Sequence, residues 1–379
     1  MKQVKVLLKF IYLNVIGFLS IFIPPKNNQL TFVRRSFSGS NITPVYLKMK
    51  ETFPDLDIKL INTYNAEKEN SMFSLLKEIN SFTPLIRSKI VVTTHGPIFR
   101  TIFKSKKTIA IELWHGFPTK KEGLLLNKRN QTHIRKFTDY FVSYSNFCTV
   151  LLNSRYGMPS NQFVVLGTPR NDYFFSPLND PYHNEFENVI FYAPTYRESN
   201  EQELALDFRL SEFSLPEFNI FLQKINAVLI WKLHPKDETL IGDFQIDMDL
   251  SNILILMDSE IRDMQVDFYQ LLAISDMLIT DYSSIYADYL LLNKPMIFVP
   301  TDLQSFQNER GLLLTPYETW MPGPKCHNQN ELQLEIINCL EDDSYYARER
   351  NFMKDIIHHY QDGNSTDRVV NFILSLMEQ

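Results

Sequence analysis

The chain has 379 residues, of which 44% are hydrophobic and 22% charged, with a net charge of −6. This composition excludes a disordered or fibrous protein, and the length exceeds what one ordinary core supports, so two domains are expected. The charge is split: residues 1–136 carry +15 and the remainder −21, and the first fifty residues hold eight basic side chains and no acidic one, which points to an anionic partner such as nucleic acid or an anionic membrane surface.

The chain opens with Lys2, Lys5 and Lys9 around an apolar stretch, Phe10 to Ile23, closed by Pro24-Pro25. At about 14 residues the uncharged run is short for a bilayer span, which needs roughly 20. The expectation for residues 1–25 is a helix lying in the membrane interface with lysines at headgroup level. Extension back to Val6 leaves a true span open, and burial within the protein is the plain alternative. Leu30-Thr-Phe-Val33 then reads as a strand, the polar Arg34 to Asn41 as a turn, and Pro44 to Phe53 as a helix. Further strands are expected at Ile58–Ile61, Lys89–Val92, Thr108–Leu113, Asp139–Ser143 and Gln162–Leu166, with helices at Met72–Ile79 and Ser145–Asn153. Such alternation means βαβ units and a parallel sheet.

The polar, turn-rich stretch Ser176–Glu187 reads as the boundary between an N-terminal domain, residues 26–180, and a C-terminal one, residues 181–345. Val189–Tyr192 and Ala227–Leu233 restart the strand pattern, and a helix ends at Tyr269–Ile274. Met277–Ile279 is a strand running into Thr280-Asp-Tyr-Ser-Ser284, then a helix to Leu292 and the strand Pro295–Val299. Thr301–Pro324 reads as a long loop, and Leu332–Glu341, Tyr345–His359 and Thr366–Met377 as helices, the last ones able to cross back to the first domain.

Polar residues collect where these strands end. His115 follows the strand at 108–113, with Gly116 and Pro118 forcing a loop and Lys120 and Lys121 close behind. His95, in a similar strand-then-His-Gly arrangement, is the weaker competitor. Arg170, Arg197, His234 and the pair Ser283–Ser284 also follow strands. Ligands of open α/β sheets gather at the carboxyl ends of strands, and a helix N-terminus flanked by hydroxyls suits an anion. Taken alone, the two serines admit the simpler reading of a helix cap. No zinc-protease, P-loop or dinucleotide glycine motif occurs. Asp247-Met-Asp249 has metal-like spacing in a polar stretch and is set aside. Cys148, Cys326 and Cys339 are widely spaced and odd in number, which argues against a disulfide framework and for a reducing compartment.

Trp114-His-Gly116, Gly167-Thr-Pro-Arg-Asn-Asp172, Ala193-Pro-Thr-Tyr-Arg197, His234-Pro235, Ile279-Thr-Asp-Tyr-Ser-Ser284 with Asp288, and Glu309-Arg-Gly311 with Pro322-Gly-Pro324 occur in that order. Together they resemble the CDP-glycerol glycerophosphotransferase family of teichoic acid and capsule synthesis, and the length is similar to its short, primase-type members. The resemblance implies a GT-B-like α/β fold, two Rossmann-like domains facing across a cleft, at the cytoplasmic membrane surface. It implies transfer of glycerol phosphate, or another polyol phosphate, from a CDP-linked donor to the hydroxyl of an undecaprenyl-type lipid-linked saccharide, with release of CMP. CDP-glycerol is then a co-substrate, no cofactor is required, no metal ligands are assigned, and nucleic acid is not a partner. Carried over motif by motif, His115 resembles the general base and His234 the second essential histidine. Ser283, Ser284 and Arg310 resemble donor-phosphate ligands, and Arg170, Arg197, Asp281 and Gly311 residues of the donor side. Gly116, Lys120 and Lys121 fall on the acceptor side. Phe117 departs from the family, which more often has Thr after W-H-G. The rival expectations are a GT-B glycosyltransferase or epimerase using a UDP-sugar, and a non-catalytic membrane-associated scaffold.

Overall fold

A computed structural model describes residues 2–63, 80–96, 105–126, 133–176, 180–195, 208–210, 212–232 and 250–378. The chain forms two compact units. The first comprises residues 1–115, 122–172 and 359–379, the second residues 116–121 and 173–358. The expected helix Met72–Ile79 and the Asp247–Asp249 motif lie outside the described residues.

The first unit holds six strands: β1 (Lys26–Arg34), β2 (Asp57–Asn62), β3 (Ser88–Thr93), β4 (Ile109–Glu112), β5 (Tyr140–Ser143) and β6 (Phe163–Val165). They form one parallel sheet in the order β2-β1-β3-β4-β5-β6. Leu30, Phe32, Ile90, Val92 and Ile111 are buried in one core cluster. Parallel strands covered on both faces read as continuous apolar runs, which is why these were visible in the sequence. The helix Ile42–Thr52 buries Ile42, Val45 and Met49, spaced by three and four residues, on that sheet. The terminal helix Ser365–Met377 packs beside it through Val369, Val370, Ile373 and Leu376.

The N-terminal helix runs Lys2–Phe22, within the residues 1–25 expected to be helical, and starts eight residues before the uncharged run because lysine is a good helix former. Leu13 and Ile16 are buried against Val33, Ile61, Phe82 and Leu85. Phe10, Ile11, Val15, Phe18 and Phe22 on the same helix are exposed. No described helix is long and apolar enough to cross a membrane.

The second unit holds β7 (Asn188–Tyr192), β8 (Ala227–Lys232), β9 (Ile253–Leu256), β10 (Met277–Thr280) and β11 (Met296–Phe298). They form a parallel sheet in the order β11-β10-β7-β8-β9. β9 was not expected; its four residues, Ile-Leu-Ile-Leu, are too short a run to stand out without the neighbouring β8. Residues 301–324 are not a loop throughout: Leu303–Glu309 and Tyr317–Trp320 are helical within them. Turn residues dominate that stretch, and Phe306 and Tyr317 bury themselves at its ends.

Candidate active site

At the carboxyl edge of the first sheet, His115 stands three residues past β4. Its Nδ1 lies 2.7 Å from the Thr94 carbonyl oxygen. A carbonyl only accepts, so Nδ1 carries the proton and Nε2 carries the lone pair. Among the described residues Nε2 has no hydrogen-bond partner. Burial lowers the His115 pKa to about 4, the Thr94 contact pulling weakly the other way, so the ring is neutral near pH 7. His95 stacks on it with centroids 4.1 Å apart and planes 2° apart. Its own Nδ1 meets the Thr94 hydroxyl at 2.9 Å, and burial together with His115 holds it neutral as well.

The backbone around His115 is held in an unusual shape. Trp114 has φ +58°, a left-handed conformation that costs roughly 1–3 kcal/mol for a side chain of this size. Such strain persists only where neighbours over-determine it. Trp114 N–H donates to Glu112 Oε1 at 3.0 Å, and the Asn41 amide donates to the Trp114 carbonyl at 2.9 Å. The indole packs on His115, Phe141 and Tyr156. Arg170 is buried, and its Nη1 donates to the His115 carbonyl at 2.8 Å and to that of Gly39 at 3.1 Å. Arg170 N–H in turn donates to Asn41 Oδ1 at 3.0 Å. Arg170, expected on the donor side, therefore sits in the first unit as a clamp on the His115 main chain. The Asp172 carboxylate accepts from Ser365 N–H at 3.0 Å and Thr366 N–H at 2.6 Å, capping the terminal helix.

In the second unit the turn after β10 carries Asp281, Tyr282, Ser283 and Ser284. Asp281 is buried and accepts from Thr195 N–H at 2.8 Å and Tyr282 N–H at 2.5 Å, so it ties the loop after β7 to this turn. Ser284 is the N-cap of the short helix Ile285–Tyr289 but makes no side-chain cap bond. Both serines are half-buried, and among the described residues neither hydroxyl has a partner. The cap reading therefore does not account for them. Tyr282 stacks on Phe306 at 4.2 Å, and the Tyr317 hydroxyl donates to the Asp281 carbonyl at 2.9 Å.

The segment 116–121, directly after His115, belongs to this second unit. Lys121 N–H donates to the Gly311 carbonyl at 2.9 Å, Leu313 N–H to that of Thr119 at 2.8 Å, and Lys120 pairs antiparallel with Leu312. Lys120 Nζ lies 5.4 Å from the centre of the Phe306 ring. Gly116, Lys120 and Lys121, expected on the acceptor side, are thus grouped with Gly311 and exposed Arg310. Gly311 has φ +70°, and a Cβ there would come within 2.8 Å of the Lys121 side chain. His234 and Arg197 lie outside the described residues. Among the described residues no cluster of three His, Cys, Asp or Glu could hold a metal ion.

The sequence reading missed Glu112, Asn41 and Thr94. A carboxylate inside an apolar strand run was the available signal for Glu112; for Asn41 and Thr94 there was none, since their partners lie 73 and 21 residues away.

The family model for CDP-Glycerol:Poly(glycerophosphate) glycerophosphotransferase matches residues 18–375. The teichoic acid glycerol-phosphate primase of Bacillus subtilis (strain 168) is 28% identical over 343 residues, covering 86% of this chain and 82% of that protein. The teichoic acid ribitol-phosphate primase of Bacillus spizizenii (strain ATCC 23059 / NRRL B-14472 / W23) is 27% identical over 388 residues, covering 95% and 94%. A structure of the wall teichoic acid polymerase TagF superposes with a TM-score of 0.75 at 21% identity, over 97% of this chain and 94% of that one, a likeness of fold. With parallel α/β sheets, the histidine and serine edges and a family match across nearly the whole chain, this protein is a transferase that belongs to the CDP-glycerol:poly(glycerophosphate) glycerophosphotransferase family.

Proposed function

We propose that this chain transfers glycerol phosphate, or another polyol phosphate, from a CDP-linked donor to the hydroxyl of a lipid-linked saccharide in teichoic acid or related polymer synthesis. The observation that carries the reading is His115: a neutral imidazole, its tautomer set by the Thr94 carbonyl and its Nε2 without a partner among the described residues. In the proposed step the acceptor oxygen attacks the polyol-bearing phosphorus while His115 Nε2 takes its proton. The new P–O bond forms as the bond to the CMP phosphate breaks, and CMP leaves with the negative charge. A base whose pKa is near 4 is weak in water, so its contribution depends on alignment as much as on basicity. The unspent hydroxyls of Ser283 and Ser284 are the donor-phosphate ligands of the second unit, with Arg310 supplying positive charge. Asp281 and Gly311 act there through the backbone. His234 and Arg197 keep the donor-side roles that the family motifs imply. Relatives named for both glycerol and ribitol phosphate leave the polyol to experiment.

The N-terminal helix supports placement at the cytoplasmic face of the membrane. It turns one face into the first unit and leaves Phe10, Ile11, Phe18 and Phe22 outside, an apolar patch in the most basic part of the chain. Removing residues 1–25 would strip Leu13 and Ile16 from a core cluster. The cleaner test is a triple exchange of Phe10, Ile11 and Phe18 for glutamate, expected to abolish flotation with anionic vesicles while the protein stays folded. Undiminished flotation would reject the interface reading.

The reaction is tested by incubating the purified protein with CDP-glycerol and, separately, CDP-ribitol, each with a synthetic lipid-linked disaccharide. Acceptor-dependent CMP with a mass gain of one polyol phosphate is the expected outcome and names the donor. A ladder of masses would make the enzyme a polymerase. Release of UDP from a UDP-sugar, with no CMP from either CDP-polyol, would overturn the proposal.

A further inference from the structure

We propose that Glu112 is a positioning residue for His115, fixing both its direction and its tautomer. The inference rests on His115 as the base. Glu112 ends β4 and has no solvent exposure. Burial pushes the Glu112 carboxyl up to about 7, and three donors hold it from rising further. Thr93 Oγ1 donates to Oε2 at 2.6 Å, Gly96 N–H to Oε2 at 3.0 Å, and Trp114 N–H to Oε1 at 3.0 Å. Thr93 is also its register partner on β3.

The placement of these donors gives the carboxylate its role. Thr93 and Gly96 bracket Thr94, and the Thr94 carbonyl is what receives the His115 Nδ1 proton at 2.7 Å. Trp114, on the other oxygen, immediately precedes His115 and is the residue held at φ +58°. One carboxylate thus fixes the acceptor that selects the tautomer and the peptide that aims the ring. Gly96 takes its φ of +81° without strain, whereas Trp114 is held in a conformation that relaxes unless tied. Glutamine keeps the size of the side chain but replaces one accepting oxygen with an NH₂ group, which opposes an N–H donor. A carboxylate that reaches histidine through a backbone carbonyl does indirectly what a directly bonded carboxylate does in a hydrolase triad.

The test compares the full-length wild type with Glu112→Gln, using His115→Gln to assign the His115 signals among the eight histidines in ¹⁵N spectra. Expected for Glu112→Gln are a fall in kcat of about 100-fold with KM for CDP-glycerol unchanged, and loss of the pure Nδ1–H signature of His115. An unchanged His115 tautomer, whatever happens to kcat, overturns the proposal, because the effect would then not pass through Thr94. A lost tautomer with unchanged kcat supports the hold of Glu112 on His115 while rejecting His115 as the base, so the two claims fail separately. If Glu112→Gln does not fold, Thr93→Val removes one donor and leaves the carboxylate. A mixed His115 tautomer and a fall in kcat of about 10-fold are then expected, and an unaltered spectrum overturns the proposal.

Discussion

The two carboxyl edges hold their polar residues in opposite ways. In the first unit the carboxyl, amide and guanidinium groups around His115 serve the backbone: Glu112, Asn41 and Arg170 make bonds to the peptides on either side of it. What remains outward is one imidazole edge. In the second unit the carboxylate of Asp281 and an aromatic stack of Tyr282 on Phe306 hold the turn, while two serine hydroxyls have no partner among the described residues. The difference follows from the chemistry proposed for each. A general base needs one lone pair at one angle, so its surroundings are consumed in aiming it. A phosphate site needs donors still available when the anion arrives.

The comparison breaks first at His115. Exchange for alanine is expected to lower CMP release by roughly 1,000-fold while CDP-glycerol binding, measured by calorimetry, stays within about twofold. Near-normal turnover would remove the contrast between the edges. Next in size, Asp281→Ala leaves the Thr195 and Tyr282 N–H groups without their carboxylate. The loss expected is roughly 2–4 kcal/mol in denaturant unfolding, with weaker donor binding as well; an unaltered unfolding midpoint would show that the turn holds itself. Ser284→Ala sharpens the contrast, since among the described residues its hydroxyl has no hydrogen-bond partner. It should weaken CDP-glycerol binding about tenfold and leave the melting temperature where it was; the reverse pattern would return the serine to a structural role. Gly311→Ala forces a side chain into φ +70° against Lys121 and should cost about 1–2 kcal/mol, read as a lower melting temperature.

The smallest effect is in pH, and it has opposite signs in the two units. His115 is depressed to about 4 by burial. Between about 6.5 and 4 the unfolded chain binds a proton that the folded one refuses, so this histidine lowers stability as pH falls through that window. His183 of the second unit is different: Asp180 binds its Nδ1 and Asp276 meets its Nε2 at 2.8 Å, and these hydrogen bonds raise its pKa against partial desolvation. Its contribution is complete below the free histidine value and is lost as pH rises through the raised folded value. Melting curves of His183→Gln should therefore differ from wild type most near pH 6 and least near pH 9. Those of His115→Gln should differ more as the pH drops from 7 towards 4. Parallel trends in the two variants would contradict the contrast.

The strands of both sheets other than β9, the position of His115 beyond β4 and the polar turn beyond β10 were legible in the amino-acid order. Buried parallel strands declare themselves as local apolar runs, and a strand end is marked by the next few residues. The same local logic failed at β9, whose four residues gain meaning only beside β8, and at residues 301–324, where turn residues hid two short helices. It also could not assign partners. Asn41 meets Trp114, Arg170 meets His115, Asp172 meets Ser365 and Lys121 meets Gly311 across 55 to 193 residues. Periodicity shows which face of an element is buried, and not which distant donor a carboxylate will find. By itself the sequence determined two parallel α/β units and which strand ends deliver clusters of polar residues. Only the tertiary structure decided that Arg170 and Glu112 hold His115, that Asp172 caps the last helix and that Lys120 and Lys121 pair with the Gly311 loop, because hydrogen bonds between far-separated residues form only once the sheets bring their ends together.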